Sequence, residues 1–188
     1  MRIILGIDPG SRLCGWGIVT QDGNRLRHLD NGVIVLDARQ ALHERLAILH
    51  RALMQVIEQY SPTDAAIESV FQHRNAQSAL ILGHARGTAL TCIALNAIDV
   101  RTYAPTEIKK LVAGHGRASK EQIQLMVARH LNLADVPQSD AADATAAALC
   151  HALHLRLGSP NVTSIPKQKR YSKKQSDALL IKLARTQG

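Results

Sequence analysis

Four acidic residues in this sequence of 188 residues could do chemistry together. Asp8 follows the apolar run IILGI, and Glu68 ends the run DAAIE. Asp140 and Asp143 are three positions apart and so share one helix face, in a first turn where the helix dipole favours anions. Four converging carboxylates repel one another unless cations lie between them, and Mg²⁺ or Mn²⁺ prefers such hard oxygen ligands. The residue types predict two divalent ions of the kind that promote phosphodiester hydrolysis.

Three of the four acids also have a simpler explanation when each is considered alone, and Asp8 is the exception. Asp140 and Asp143 are residues that commonly begin a helix, and Glu68 could be a surface residue at the end of a strand. The chemical interpretation therefore depends on a topology that brings all four together.

The elements that must position these acids follow from apolar periodicity and turn signals. In chain order, we predict strands over 2–8, 14–20, 25–36, 64–69 and 99–103, helices over 38–60, 75–98, 105–114 and 119–133, and a last helix that begins near 137–140 and runs to 158. Three sequential strands followed by alternating helices and strands predict an α/β fold, with a five-stranded mixed sheet (three antiparallel strands plus two parallel) flanked by helices. A helical crossover makes the fourth strand parallel to the first, which brings Asp8 and Glu68 to one sheet edge.

Charge and cysteine content limit the class of protein. The net charge is +8, and residues 159–188 hold seven of the 23 basic residues but one of the 15 acidic residues. We therefore predict a folded domain over 1–158 and a basic, disordered tail over 159–188, which favours a polyanionic partner. Three widely spaced cysteines without a C-x-x-C pair, and no signal-peptide pattern, predict a cytoplasmic protein.

Four segments resemble the motif blocks of the RuvC family, the crossover (Holliday) junction endodeoxyribonucleases. They are GIDPGSRLCGWG, AIESVFQHRNAQSALILGHARG, APTEIKKLVAGHGRASKEQI and PQSDAADATAAALCHA, and the resemblance runs from about residue 2 to 155. It implies a ribonuclease H-like fold, a homodimer, and a catalytic, metal-binding tetrad of Asp8, Glu68, Asp140 and Asp143 holding two Mg²⁺ ions per subunit, with Mn²⁺ as a substitute. It further implies paired symmetric nicks in four-way DNA junctions during recombination and repair, and cooperation with the branch-migration complex of RuvA and RuvB.

Further residues are predicted to contact DNA. Resemblance implies that Phe71 stacks on an unpaired base, although a lone phenylalanine is more often a core anchor. It also matches Lys109 and Lys120 to functional lysines of the family. The predicted DNA-binding set is Phe71, Arg74, Lys109, Lys110, Arg117 and Lys120.

Two features leave alternatives open. The apolar helix after Asn75 could be buried inside one subunit or, as resemblance favours, form a dimer interface. For the whole chain, an actin-like phosphotransferase is a second hypothesis, although that class needs a second glycine-rich phosphate loop. A catalytically silent junction-binding or scaffold protein is the third.

Overall fold

The computed structural model describes residues 1–69 and 76–157. Its five strands are β1 (Arg2–Asp8), β2 (Leu13–Asp22), β3 (Arg25–Val35), β4 (Asp64–Glu68) and β5 (Asp99–Tyr103). They form one sheet in the order β3-β2-β1-β4-β5. β1 pairs antiparallel with β2 and parallel with β4, and β4 pairs parallel with β5. The predicted mixed sheet is confirmed.

Five helices complete the described chain: α1 (Leu42–Tyr60), α2 (Ala76–Leu95), α3 (Pro105–Ala113), α4 (Lys120–Leu131) and α5 (Ser139–Leu157). α1 begins four residues later than predicted because Asp37 forms a turn, in which its carboxylate accepts from the Arg39 amide. α2 ends at Leu95, before the predicted limit of 98, because Ala97 has a positive φ of 54°. The capping box of Ser119 and Gln122 begins α4 as the sequence indicates.

The hydrophobic core has two layers, one on each face of the sheet. Leu5 and Ile7 point to the layer under α1 and α2, which includes Leu49 and Ile93. Ile4 points to the other layer, which is built from α3, α4 and α5. This alternation follows from the two-residue period of a strand, and it is why β1 is almost continuously apolar.

α5 lies unusually close to the sheet. A Cβ atom added at Gly6 would be 1.9 Å from the Ala144 carbonyl oxygen, and one at Gly15 would be 2.0 Å from the Asp140 carbonyl oxygen. Gly6 and Asp8 in β1 pair with Gly17 and Gly15 in β2, so the glycines form a strip across two strands. The backbone of α5 comes close to this strip because the glycines have no side chains and the facing residues of α5, Ala144, Thr145 and Ala148, have small ones.

Candidate active site

Two of the acids lie at one edge of the sheet. β1 and β4 are parallel neighbours with Ile7 opposite Ile67, so Asp8 and Glu68 occupy the next position on adjacent strands. Adjacent strands are about 4.8 Å apart, which is a suitable distance for two carboxylates to share a cation. The prediction that Asp8 and Glu68 meet at one edge is therefore confirmed by the strand register.

The other two acids come to the same edge on α5. The glycine strip lets the first turn of α5 lie directly on β2, where Gly15 pairs with Asp8 and also faces the Asp140 backbone. Asp143 follows one turn later on the same helix. Sequence reasoning predicted the helical pair but missed the signal in Gly15 and Gly17, whose alternation marks where the helix approaches.

Electrostatic coupling shows that the four acids share a common environment. Burial, followed by the charges of Asp143 and Asp140, raises the pKa of Asp8 to about 6. Burial, followed by the charges of Asp8 and Asp143, raises the pKa of Glu68 to about 7. Carboxyl groups with raised pKa values near other carboxylates form a site in which positive charge is needed.

Two lysines supply part of that positive charge. Lys120 Nζ lies 2.8 Å from Asp143 Oδ2, and this hydrogen bond raises the pKa of Lys120. The charge of Lys120 partly offsets the rise in the pKa values of Asp8 and Glu68, and the charge of Lys109 partly offsets the rise in the pKa of Glu68. Both predicted lysines therefore lie within electrostatic reach of the acids.

The donor set fits hard divalent cations. Its oxygens come from carboxylates, and Mg²⁺ or Mn²⁺ would offset both the burial and the mutual repulsion that raise the pKa values of Asp8 and Glu68. Within residues 1–69 and 76–157, however, no three acidic, histidine or cysteine side chains form a preassembled metal cluster. The acids are gathered at one edge, with Lys120 paired to Asp143.

The remaining predicted DNA contacts divide into two groups. Lys110 is exposed in the last turn of α3, and Arg117 is exposed in the loop between α3 and α4. Gly114 ends α3 with a positive φ of 84°, which permits a tight turn there. Phe71 and Arg74 lie outside the described residues, so their roles stay predictions.

The fold and the acidic edge together define a class: this is a ribonuclease H-like protein, in which carboxylates gather beside the central strand of a five-stranded sheet. The family model described as crossover junction endodeoxyribonuclease RuvC matches residues 4–151. The chain belongs to the RuvC family. This membership favours the nuclease interpretation over the actin-like phosphotransferase.

Individual relatives agree with this assignment. A crossover junction endodeoxyribonuclease RuvC from Gluconacetobacter diazotrophicus is 47% identical over 151 residues, which are 80% of this chain and 90% of the relative. That of Acinetobacter baylyi is 48% identical over 152 residues, covering 81% of this chain and 83% of the relative. The structure of T. thermophilus RuvC in complex with a Holliday junction substrate matches with a TM-score of 0.80 and 34% identity, covering 84% of this chain and 97% of that chain.

Proposed function

We propose that this protein is an endodeoxyribonuclease that resolves four-way DNA junctions during homologous recombination and DNA repair. It makes paired symmetric nicks in strands of like polarity and leaves 5′-phosphate and 3′-hydroxyl ends. The observation that carries the proposal is the gathering of Asp8, Glu68, Asp140 and Asp143 at one sheet edge, where burial and the neighbouring carboxylates raise the pKa values of Asp8 and Glu68. The relatives named as crossover junction endodeoxyribonucleases and the junction-bound T. thermophilus structure support the substrate.

The four acids are the proposed ligands of two Mg²⁺ ions per subunit, with Mn²⁺ as a substitute. When bound, such ions activate a water molecule and stabilise the leaving 3′-oxygen. Asp8 would be the central residue of the ligand set because it ends the central strand, with Glu68 on one side and α5 on the other. The glycine strip holds Asp140 and Asp143 against that strand.

The lysines are proposed to act on the phosphate. The Lys120 side chain is half-exposed, and its ammonium group contacts Asp143. Lys120 therefore lies at the boundary between the acids and solvent, where a phosphodiester would enter. A cation at this position stabilises the charge that grows on the phosphoryl oxygens. Lys109 serves the same role beside Glu68, and Lys110 and Arg117 bind the DNA backbone farther out.

A homodimer is proposed to form through one exposed face of α2. α2 is long and apolar enough by composition to cross a membrane, yet it is only partly buried. Its inner face packs in the core through residues such as Ala89 and Ile93, while Leu80 is exposed and a Cβ atom at Gly83 or Gly87 would meet nothing within 4 Å. Such an open apolar face with glycines suits close approach of a second copy. Two subunits would bring two sites to one junction.

Further assignments follow from the proposed activity. Residues 1–158 form the nuclease domain, the basic segment 159–188 is a separate tail, and RuvA and RuvB supply branch migration. The cytoplasm is the proposed location, and the three cysteines, all buried and unpaired, agree with a reducing compartment.

The test uses a synthetic four-way junction, the purified full chain and Mg²⁺. We expect paired incisions near the branch point by the native protein and a loss of at least 100-fold with Asp8→Asn. Binding without incision in Mg²⁺ or Mn²⁺ would instead support the scaffold hypothesis. Equal incision by Asp8→Asn would contradict the proposed site.

A further inference from the structure

The contact between α5 and the glycine strip does not by itself determine where α5 lies along its own axis. The residues of α5 that face the strip are Ala144 and Ala148 over Gly6 and Thr145 over Gly17, and the Thr145 hydroxyl donates within the helix to the Ala141 carbonyl oxygen. Apolar contact is strong but non-directional, so it holds the helix against the sheet without selecting one axial position. That position matters because Asp140 and Asp143 are carried on the first turn of α5.

A buried polar network joins α5 to two strands. His151 is 2% exposed, and its Nδ1 lies 2.7 Å from the hydroxyl oxygen of Tyr103, which ends β5. Its Nε2 lies 3.5 Å from Asp64 Oδ1, at the start of β4. Because a carboxylate only accepts hydrogen bonds, Nε2 carries the hydrogen that faces Asp64. A neutral imidazole then accepts the Tyr103 hydroxyl at Nδ1.

Asp64, the residue of the network farthest from Tyr103, is held in place by two further residues. Arg2 donates to both oxygens of Asp64 at 2.9 and 3.1 Å, and the Thr63 hydroxyl donates at 2.7 Å. Burial alone would raise the pKa of Asp64, but hydrogen bonds from His151 and Thr63 and the charge of Arg2 outweigh it and lower that pKa to about 2. Asp64 therefore stays a fixed, ionised acceptor beneath α5.

A separate hydrogen bond also ties α5 to the sheet. Gln21 in β2 donates from Nε2 to the Ala152 carbonyl oxygen at 3.2 Å. The half of α5 that follows the acids is thus tied to β2, β4 and β5 by directional bonds, whereas the half that carries the acids rests on glycines. Hydrogen bonds depend steeply on distance and angle, so they select a position that packing leaves open.

We propose that His151 is a positioning residue, which together with Tyr103 and Asp64 fixes α5 along the sheet and so sets the places of Asp140 and Asp143 for divalent cation binding. His151 lies eight residues from Asp143, or about 12 Å along the helix. Metal–ligand distances are met within about 0.2 Å, so a small slip of α5 would disturb the site. This inference rests on the proposed metal site and extends it to residues that do not touch the metal.

The experiment measures Mn²⁺ binding by electron paramagnetic resonance in the absence of DNA, with the full-length chain. Tyr103→Phe removes one hydroxyl and keeps the ring in the core, and His151→Leu removes both polar contacts. We expect the Kd for Mn²⁺ to rise about 10-fold in Tyr103→Phe and more in His151→Leu, the range typical of residues that support metal ligands. His151→Gln introduces an amide that can donate toward Asp64, so we expect a Kd for Mn²⁺ between those of the native protein and His151→Leu.

A control separates positioning from general destabilisation. Val56 lies on α1, in the core layer on the opposite face of the sheet from α5. Val56→Ala removes two methyl groups from that layer and should lower the melting temperature without changing the contacts of α5. We expect its Mn²⁺ affinity to equal that of the native protein. The inference is overturned if Tyr103→Phe and His151→Leu bind Mn²⁺ as the native protein does, or if Val56→Ala weakens binding equally. Absence of Mn²⁺ binding by the native protein would overturn the proposed metal site as well.

Discussion

At the scale of single residues, the raised pKa values of Asp8 and Glu68 link folding to pH. Their folded-state pKa values of about 6 and about 7 exceed the ordinary values of 3.8 and 4.5. The folded protein therefore binds more protons than the unfolded chain between about pH 4 and 7, and its stability falls as pH rises through that range. Without metal, the acids destabilise the fold at neutral pH.

We predict that Asp8→Asn raises the melting temperature in EDTA at pH 8, by about 2–4 °C for each kcal/mol of repulsion removed. The gain should vanish near pH 4, where the native carboxyl is protonated, and Mg²⁺ should stabilise the native protein more than the variant. Calorimetry across this pH range provides the measurement. Asp64→Asn is the opposite control, since that pKa is lowered and the variant should be less stable at pH 8. A gain that is independent of pH would show that the buried charge of Asp8 is not its cause.

Lys120 leads to a prediction about DNA affinity. If it contacts a phosphate in the complex, Lys120→Gln should reduce the slope of log affinity against log salt by about 0.9 in magnitude. Fluorescence anisotropy with a labelled junction in Ca²⁺, at several salt concentrations, measures this slope. Arg129→Gln, at the other end of α4, is the matched control and should leave the slope unchanged. Equal slopes for all three proteins would mean that Lys120 does not neutralise a phosphate.

At the scale of elements, the proposed metal site depends on the close contact between α5 and the glycine strip. Gly15→Ala would place a methyl group where the Asp140 carbonyl oxygen lies, at 2.0 Å, so α5 must move outward. We predict a lower melting temperature and at least a 10-fold weaker Mn²⁺ affinity, measured without DNA. Gly116→Ala is the control, because its Cβ atom would be 3.4 Å from the nearest atom. Unchanged Mn²⁺ affinity in Gly15→Ala would show that the acids do not depend on this contact.

The elements also show what the sequence could and could not predict. Periodicity and turn pairs identified all ten elements found in residues 1–69 and 76–157, and the crossover rule brought Asp8 and Glu68 to one edge because it depends only on chain order. The start of α1 was wrong because the local turn at Asp37 competes with the helix. The pairing of Lys120 with Asp143 and the network of His151 involve residues far apart in sequence, so no local pattern reveals them.

At the scale of the whole molecule, the proposed active site and the proposed dimer interface lie on opposite faces of the sheet. α3, α4 and α5 cover one face and carry the acids of α5 and the lysines. α1 and α2 cover the other face and leave an apolar groove between them, lined by Leu46, His50, Leu80, Gly83, Gly87 and Thr91. Changes on the second face should therefore alter oligomeric state without disturbing metal binding.

We predict that Leu80→Glu converts the protein to a monomer, because Leu80 is 58% exposed in the groove and a charge there would be buried by a second copy. Sedimentation velocity measures the oligomeric state, and Mn²⁺ affinity should stay at the native value. Leu125→Glu is the matched control: Leu125 is 60% exposed on α4, away from the groove, and this variant should remain dimeric. Cleavage of a four-way junction by Leu80→Glu should lose its pairing, so that single nicks replace resolved duplexes. A dimer that survives Leu80→Glu and still resolves junctions would place the interface elsewhere.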